Sequence, residues 1–230
     1  MDSQQGNGFV IWLTGMNRAG KSTLAAQVAT RLAGAGRKVE LLDEDGDAAV
    51  LLTGLGPSKE DHAKAVARLG FVARAVLRTG GVAVAAALSP YRDAREQLRK
   101  EARRFVEVFV DCSMEKLQQR DPEGIYKRAL AGELQQVPGV DVPYEPPSHA
   151  DVTVHTDQTS VDEAAKAVFQ ALVDLKYVGP TEFGRLTGGL RPRRKPGKVR
   201  KARGKGGARS AARKAPRKVA ARTARPARRR

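Results

Sequence analysis

The segment Gly15-Met-Asn-Arg-Ala-Gly-Lys-Ser-Thr23 has residue types suited to phosphate chemistry, at the spacing that this chemistry requires. It fits the pattern G-x-x-x-x-G-K-[ST], in which backbone N–H groups surround the phosphates of a nucleoside triphosphate. In this pattern the lysine reaches the β- and γ-phosphates and the serine hydroxyl binds Mg²⁺. We therefore predict a catalytic lysine, a metal-binding serine and a nucleotide-binding loop made of Gly15, Met16, Asn17, Arg18, Ala19, Gly20, Lys21, Ser22 and Thr23.

Carboxylates cluster at the end of the apolar run Lys38–Asp43, in the sequence Asp43-Glu-Asp-Gly-Asp47. Functional groups collect at the carboxyl ends of strands in a parallel sheet, so these side chains are expected near the phosphate loop. Asp43 and Asp45 are two residues apart and can face the same side, where they would share a hydrated Mg²⁺ or accept a proton from an attacking hydroxyl. We predict both as catalytic residues and metal ligands. The alternative is an acidic turn that caps the next helix.

Basic residues at two other places suit contacts with anionic groups. Arg92 follows the apolar run Val82–Leu88 and is placed to bind an anionic substrate, although an exposed arginine at the start of a charged helix is equally common. Lys127 and Arg128 lie in the basic helical piece Ile125–Leu130 and could neutralise the charge of a transferring phosphate. The alternative for this pair is a solvated helix face.

Short apolar runs rich in Val, Ile and Phe alternate with segments whose apolar residues recur every three or four positions. This alternation of strand and helix patterns predicts an α/β protein with a mostly parallel five-stranded sheet and helices on both faces. A long, partly helical excursion at about 121–147 interrupts the alternation where a mobile lid is expected. The predicted strands are Phe9–Leu13, Lys38–Asp43, Val82–Leu88, Phe105–Asp111 and Asp151–Thr156, and the predicted helices include Lys21–Ala33, Ala65–Leu77 and Val161–Leu175.

Charge divides the chain into two parts. Residues 191–230 contain 19 Lys and Arg and no Asp or Glu, which leaves 23 basic and 25 acidic residues in 1–190. We predict a folded domain over 1–180, and a linker with a disordered Lys/Arg/Ala-rich tail over 181–230. The segment 191–230 would bind nucleic acid or another polyanion with little sequence preference, or would only be a solvated tail.

Cysteine usage and hydropathy predict the compartment. The single cysteine, Cys112, cannot form an internal disulfide, which suits a reducing environment. The sequence shows no export signal and no membrane-spanning run, so a cytoplasmic protein without a membrane partner is expected. Cys112 is expected to be a packed residue, and the three histidines show no metal-ligand spacing.

Seven segments, in register over about residues 8–177, share more with one family than the phosphate loop alone. They are "GFVIWLTG" at 8–15, "AGKSTLA" at 19–25, "LLDEDGD" at 41–47, "LSPYRDAR" at 88–95, "VEVFVD" at 106–111, "QRDPEGIYKRALAGEL" at 119–134 and "PYEPP" at 143–147. The lid segment is far more specific than a phosphate loop. Together they resemble the adenylylsulfate kinase family, which uses MgATP to phosphorylate the 3′-hydroxyl of adenylyl sulfate.

The resemblance implies a single P-loop domain of three layers, α/β/α, in which Lys21 and Ser22 hold ATP and Mg²⁺. It also implies that Asp43 or Asp45 assists the acceptor hydroxyl, that Arg120 lies near the ATP base and that Lys127 acts from the lid. The acceptor pocket would be lined by Ser89, Pro90, Tyr91 and Arg92. An ATP-dependent kinase of sulfate assimilation with adenylyl sulfate as its acceptor is therefore expected, and a homodimer is left open.

Five positions on the acceptor side differ from the family pattern. The family usually has arginine at position 48, aromatic residues at 57 and 137, arginine at 62 and asparagine at 65. This chain has Ala48, Pro57, His62, Ala65 and Val137 at those positions. The replacements leave open a kinase for a different small hydroxyl compound. A third alternative is a catalytically silent nucleotide-binding module that the basic tail attaches to nucleic acid.

Overall fold

The structure, a computed structural model, describes residues 8–188, and the predicted basic tail at 191–230 lies outside this range. In the described part of the chain no helix has the length and apolar character needed to cross a membrane. The strands are β1 (Phe9–Thr14), β2 (Val39–Asp43), β3 (Val82–Ala87), β4 (Phe105–Asp111) and β5 (Val152–His155). The α-helices are α1 (Lys21–Gly34), α2 (Lys59–Arg78), α3 (Arg92–Glu101), α4 (Met114–Gln119), α5 (Ile125–Leu130), α6 (Val161–Asp174) and α7 (Pro180–Thr187).

The five strands form one sheet in the order β2-β3-β1-β4-β5, and every pairing is parallel. β1 lies in the centre between β3 and β4, and all six of its residues are buried. Such continuous burial is typical of a parallel strand covered on both faces. Because all strands run in one direction, the segments that follow them meet at one edge of the sheet. The predicted fold class is confirmed.

The two faces of β1 pack against different helices. Ile11 and Leu13 join a core cluster that includes residues of α1 and α6, whereas Val10 and Trp12 join a second cluster that includes residues of α2 and α3. The alternating side-chain directions of a strand produce this division. The result is the expected three-layer arrangement, with the sheet between two helical layers.

Helix α2 begins earlier than its apolar spacing indicated. The predicted span Ala65–Leu77 is the part with apolar periodicity, but the helix starts at Lys59. Its first turn is polar and is fixed by the cap, because the Ser58 hydroxyl accepts a hydrogen bond from the backbone N–H of Asp61 at 3.1 Å. Helix α6 has a full capping box, formed by Ser160 and Glu163.

Helix α7 continues the ordered domain past residue 180, where we expected the linker to begin. Leu186 is buried, and the guanidinium of Arg37 donates to both carboxylate oxygens of Glu182 at 2.7 and 2.8 Å. The helix has only eight residues and includes Gly184, so its periodicity is too weak to be recognised in the sequence. The expected boundary at 180 was therefore placed too early.

Candidate active site

The predicted phosphate loop connects the central strand β1 to helix α1. Gly15 lies so close to β4 that a Cβ atom there would be 2.3 Å from the carbonyl oxygen of Val110, a contact that only glycine avoids. Gly20 has φ 97° and directly precedes Lys21, the first residue of α1. Arg18 has φ 62°, which is uncommon for a residue with a side chain. The loop thus ends at a helix N-terminus, where free N–H groups and the helix dipole favour an anion.

Lys21 and Ser22 connect the start of α1 to two different neighbours. The Lys21 side chain is only 4% exposed, and its Nζ donates to the carbonyl oxygen of Met16 at 3.2 Å. The same Nζ lies 3.6 Å from Oε1 of Glu44. The Ser22 hydroxyl donates to Oδ1 of Asp43 at 3.0 Å. The structure therefore brings together the lysine, the serine and the first carboxylate that the sequence predicted as partners.

The acidic segment after β2 places three carboxylates in different surroundings. Asp43 is half-buried and also accepts a hydrogen bond from the backbone N–H of Asp45 at 3.2 Å, while the side chain of Asp45 is exposed. Burial raises the pKa of Glu44 to about 7, although the nearby Lys21 ammonium acts to lower it. Glu44 was not predicted as a site residue. No local pattern distinguishes it from the two neighbouring aspartates, because its partner Lys21 is distant in sequence.

A cleft of about 390 Å³ opens beside the phosphate loop. Arg120 forms part of its far wall, where its two terminal nitrogens donate to the hydroxyl and the carbonyl oxygen of Thr156 at 3.1 and 2.6 Å. The Thr156 hydroxyl donates in turn to the carbonyl oxygen of Ala19 at 2.7 Å, which fixes Arg120 to the loop. The lining residues are Arg18, Gly20, Lys21, Ser22, Thr23, Leu24, Asp45, Arg120, Thr156, Thr159, Val161 and Ala164.

Five of these lining residues were not predicted from the sequence, and one of them, Leu24, lies in the first turn of α1. Thr156 and Thr159 follow β5, and Val161 and Ala164 lie in the first turns of α6. The available signal was topological, because the carboxyl end of every parallel strand lies at the edge of the sheet that carries the phosphate loop.

The predicted acceptor segment after β3 uses its side chains for contacts within the protein. Ser89 is only 4% exposed and has φ 36°; its hydroxyl accepts from the indole N–H of Trp12 at 3.1 Å and donates to the Thr14 hydroxyl at 2.9 Å. Pro90 is buried, and its carbonyl oxygen accepts from the Glu145 backbone N–H at 2.8 Å. The Ser89 hydroxyl is therefore committed to the protein interior.

Arg92 is also engaged with the protein. Its guanidinium donates to the carbonyl oxygen of Pro146 at 3.1 Å, and its backbone N–H donates to the Glu145 carboxylate at 2.9 Å. The side chain lines a second cleft together with Arg99 and His149. In this structure Arg92 connects α3 to the end of the lid, and the structure does not bring it to the phosphate loop.

Arg95, which looked like part of a charged surface helix, is 1% exposed. Its guanidinium donates to the Glu107 carboxylate at 2.9 Å and to the carbonyl oxygens of Ser89 and Glu145, each at 2.6 Å. This role was not predicted, because Arg95 stands among polar residues in the sequence. One buried cation therefore joins α3, β4, the Ser89 turn and the end of the lid.

The lid excursion lies against the phosphate loop at three points. The Tyr126 hydroxyl donates to the carbonyl oxygen of Asn17 at 2.7 Å, and Arg18 forms an ion pair with Glu123 at 2.5 Å. Tyr126 is fully buried, and burial raises the pKa of its hydroxyl. Gly139 packs on Met16, where a Cβ atom would be 2.2 Å from the Met16 sulfur.

Lys127 does not reach the cleft. Its side chain is exposed, and within residues 8–188 it makes no hydrogen bond or ion pair. Helix α5 turns Tyr126 and Ala129 inward, and this leaves Lys127 and Arg128 on its outer face. The structure therefore does not bring Lys127 together with the phosphate-loop lysine.

The residues that differ from the family pattern at positions 48, 62 and 137 are buried or half-buried in the structure. Ala48 and Val137 are each 5% exposed. His62 lies beside Tyr91, with 6.0 Å between ring centroids, and its buried Nε2 makes no hydrogen bond with the described residues. Burial lowers the pKa of His62. Lys59 lies 5.0 Å from the centroid of the Tyr91 ring.

The parallel sheet, the glycine-bounded loop at the start of α1 and the carboxylates after β2 define a P-loop phosphotransferase. The family model described as Adenylylsulphate kinase matches residues 7–155. An adenylyl-sulfate kinase of Picosynechococcus sp. is 40% identical over 173 residues, which is 75% of this chain and 98% of the relative. The corresponding enzyme of Chloroflexus aurantiacus is 43% identical over 172 residues, or 75% of this chain and 92% of the relative.

A solved structure agrees with these relatives. The Mycobacterium tuberculosis APS kinase in complex with AMPPNP and APS matches with a TM-score of 0.67 and 33% sequence identity, covering 73% of this chain and 98% of that chain. The present chain belongs to the adenylylsulphate kinase family and is an ATP-dependent kinase that phosphorylates a hydroxyl group. The family prediction is confirmed. The relatives give no support to a silent module, a different acceptor or a nucleic acid partner.

Proposed function

We propose that the chain transfers the γ-phosphoryl group of ATP to the 3′-hydroxyl of adenylyl sulfate and so acts in sulfate assimilation. The observation that carries this proposal is the similarity to proteins named adenylyl-sulfate kinase along nearly their whole length. A cytoplasmic location is part of the proposal, because one cysteine allows no internal disulfide.

The cleft beside the phosphate loop is the proposed ATP site. Lys21 would reach the transferring phosphate from the floor of the loop, and the backbone of the loop would surround the other phosphates. Arg120, fixed by Thr156, would lie against the base. The separate sites for the phosphates and the base suit phosphoryl transfer, in which the protein mainly positions groups and stabilises charge.

The residues present fit a Mg²⁺ ion that is bound mainly through phosphates. Residues 8–188 contain no group of three or more His, Cys, Asp or Glu side chains that could hold a metal. Mg²⁺ usually takes one or two protein carboxylates and completes its shell with phosphate oxygens and water. The hydrogen-bonded pair of Ser22 and Asp43, with Asp45 two residues further on, offers such a partial set. When bound, the ion would neutralise charge on the β- and γ-phosphates.

Asp45 is the proposed acceptor of the proton from the attacking hydroxyl, because its carboxylate is exposed and lines the ATP cleft. Tyr91 would line the acceptor side, while Ser89 and Arg92 would act by fixing the backbone of that wall. Lys127 would contact the transferring phosphate only after the lid moves toward the cleft.

The proposal is tested by incubating the full-length protein with MgATP and adenylyl sulfate, while measuring ADP and the 3′-phosphorylated product by chromatography with mass detection. We expect equal amounts of the two products. The 3′-deoxy analogue of adenylyl sulfate lacks the accepting hydroxyl and should give no phosphorylated product. Failure to phosphorylate adenylyl sulfate, with turnover of another hydroxyl compound, would contradict the proposed acceptor.

Lys21→Ala tests the role of the phosphate loop in the same assay. We expect kcat/KM to fall by at least about 10²–10³-fold, because one preorganised cation at the transferring phosphate is lost. The matched control is Lys166→Ala on the exposed face of α6, which removes the same charge away from the cleft. Equal activities of the two variants would show that Lys21 does not act on the phosphates.

A further inference from the structure

Glu44 lies between the two predicted metal carboxylates but has surroundings of its own. Its backbone N–H donates to the carbonyl oxygen of Ala86 at 3.1 Å, so the chain still follows the register of the sheet at this position. Its side chain is 14% exposed, and one carboxylate oxygen lies 3.6 Å from Nζ of Lys21. The carboxylate also accepts a hydrogen bond from the backbone N–H of Leu88. The side chain is thus held at the end of β3, against the phosphate-loop lysine.

The Lys21 ammonium has few other partners. Its Nζ donates to the Met16 carbonyl oxygen inside the phosphate loop, and Glu44 is the carboxylate with which it forms an ion pair among residues 8–188. Both side chains are largely withdrawn from solvent, so their attraction is screened less than that of a surface pair. An ammonium held in this way cannot turn toward a triphosphate without weakening its contact with Glu44.

We propose that Glu44 is a positioning residue that holds Lys21 in the nucleotide-free enzyme and competes with the terminal phosphates of ATP for its ammonium. The same cation serves two anions: the carboxylate fixed by Leu88 and the triphosphate that enters the cleft. Glu44 therefore keeps the lysine extended under the loop and at the same time weakens ATP binding. The inference rests on the binding of a triphosphate by the phosphate loop and does not depend on the identity of the acceptor.

The test compares Glu44→Gln with the wild type. The amide keeps the shape and can still accept from the Leu88 N–H, but it removes the charge. Affinity for a β,γ-imido analogue of ATP is measured by calorimetry at pH 8.5, where the Glu44 carboxyl is ionised, without acceptor, once with Mg²⁺ and once with EDTA. We expect about three- to tenfold tighter binding in both conditions, as removal of one partly screened charge predicts. Unchanged or weaker binding by the folded variant overturns the proposal.

Three further variants isolate the cause. Glu60→Gln removes a carboxylate from the exposed first turn of α2 and should leave the affinity unchanged. Glu44→Ala should also bind the analogue more tightly than the wild type does. It replaces Glu44→Gln in the test if Glu44→Gln does not fold. In a Lys21→Ala background the effect of Glu44→Gln should shrink to within about twofold, because coupled residues are not additive. A full gain in that background would show that Glu44 does not act through Lys21.

The outcomes separate this inference from the proposed function. A wild type that does not bind the analogue would refute the ATP site itself. A wild type that binds the analogue but does not phosphorylate adenylyl sulfate would refute only the acceptor. A wild type that does both, with no tighter binding in Glu44→Gln, would refute only the competition for Lys21.

Discussion

The nucleotide side and the acceptor side of the site are held in place by different means. On the nucleotide side, two short stretches of chain supply the groups that would contact the phosphates and the metal. They are the loop at 15–23 and the segment 43–45. On the acceptor side, Ser89 is held by Trp12, Thr14 and Arg95, and Tyr144 is joined to Thr14 across 130 positions of sequence. Donor chemistry is therefore a local property of this chain, whereas the acceptor wall depends on the packed fold.

Arg95→Met should give the largest effect on stability, and it should act on the acceptor side. The change removes one of the two arginine partners of the buried Glu107 carboxylate, because Arg99 also donates to it at 3.2 Å, and it leaves the carbonyl oxygen of Glu145 without a donor. Breaking a buried ion pair by removing one partner costs about 3–5 kcal/mol. We expect a clear fall in Tm and a larger rise of KM for adenylyl sulfate than for ATP, measured by thermal unfolding and by steady-state kinetics.

The control for Arg95→Met is Arg103→Met, because Arg103 is exposed and makes no ion pair or hydrogen bond within residues 8–188. The double variant Arg95→Met/Glu107→Gln should recover part of the lost stability, since it no longer buries a carboxylate that has lost its main partner. Equal rises of KM for both substrates would remove the distinction between the two sides.

Tyr144→Phe should moderately lower the stability of the protein and raise the KM for adenylyl sulfate. The Tyr144 hydroxyl is 2.8 Å from the Thr14 hydroxyl, and burial raises the pKa of Tyr144 to about 12. Its ring stacks on Phe109, with 6.1 Å between centroids, so the variant keeps the packing and loses only the hydrogen bond. We expect a loss of about 1 kcal/mol in the free energy of unfolding.

Tyr177→Phe is the matched control for Tyr144→Phe, because the Tyr177 ring contacts Phe9 and Arg104 and none of the residues of the acceptor side. Denaturant unfolding and the KM for adenylyl sulfate are measured for both variants. A KM for adenylyl sulfate that rises equally in both would show that the Thr14–Tyr144 contact does not shape the acceptor wall.

The same contrast explains what the sequence could and could not predict. The five strands and the phosphate loop were predictable, because each is encoded by a short run of residues with its own periodicity or spacing. The buried role of Arg95 was not predictable, because its neighbours Asp93 and Glu96 are exposed and give α3 the composition of a surface helix. Its burial depends on Glu107, a carboxylate between apolar residues of β4, and only the packed structure brings the two together.

Glu44 and α7 escaped prediction for related reasons. Glu44 looked like one of several acidic turn residues, and its distinct role comes from the side of the strand end to which it turns. Helix α7 is short, and its position depends on Leu186 and on the ion pair between Arg37 and Glu182. In both cases the decisive partner is distant in sequence, so no local pattern could identify it.

Asp141→Asn should give the smallest effect, confined to the lid. The Asp141 carboxylate accepts hydrogen bonds from the backbone N–H groups of Gln136 and Val137 at 2.5 and 2.6 Å, and these bonds, led by that from Val137, lower its pKa. Because the folded pKa is depressed, the stabilisation is present above the ordinary aspartate pKa of about 4 and is lost as pH falls through the folded value. We expect faster amide hydrogen exchange at 136–142 in the variant at pH 7, with little change in Tm.

Glu133→Gln, an exposed carboxylate earlier in the lid, is the control for Asp141→Asn and should not change the exchange of that segment. Acidification below pH 4 should reduce protection of 136–142 in the wild type, after correction for intrinsic exchange, and should have little further effect in the variant. Because Gly139 packs on Met16 of the phosphate loop, a loosened segment should raise KM for both substrates slightly. A higher KM for adenylyl sulfate, with an unchanged KM for ATP, would show that this segment belongs to the acceptor side.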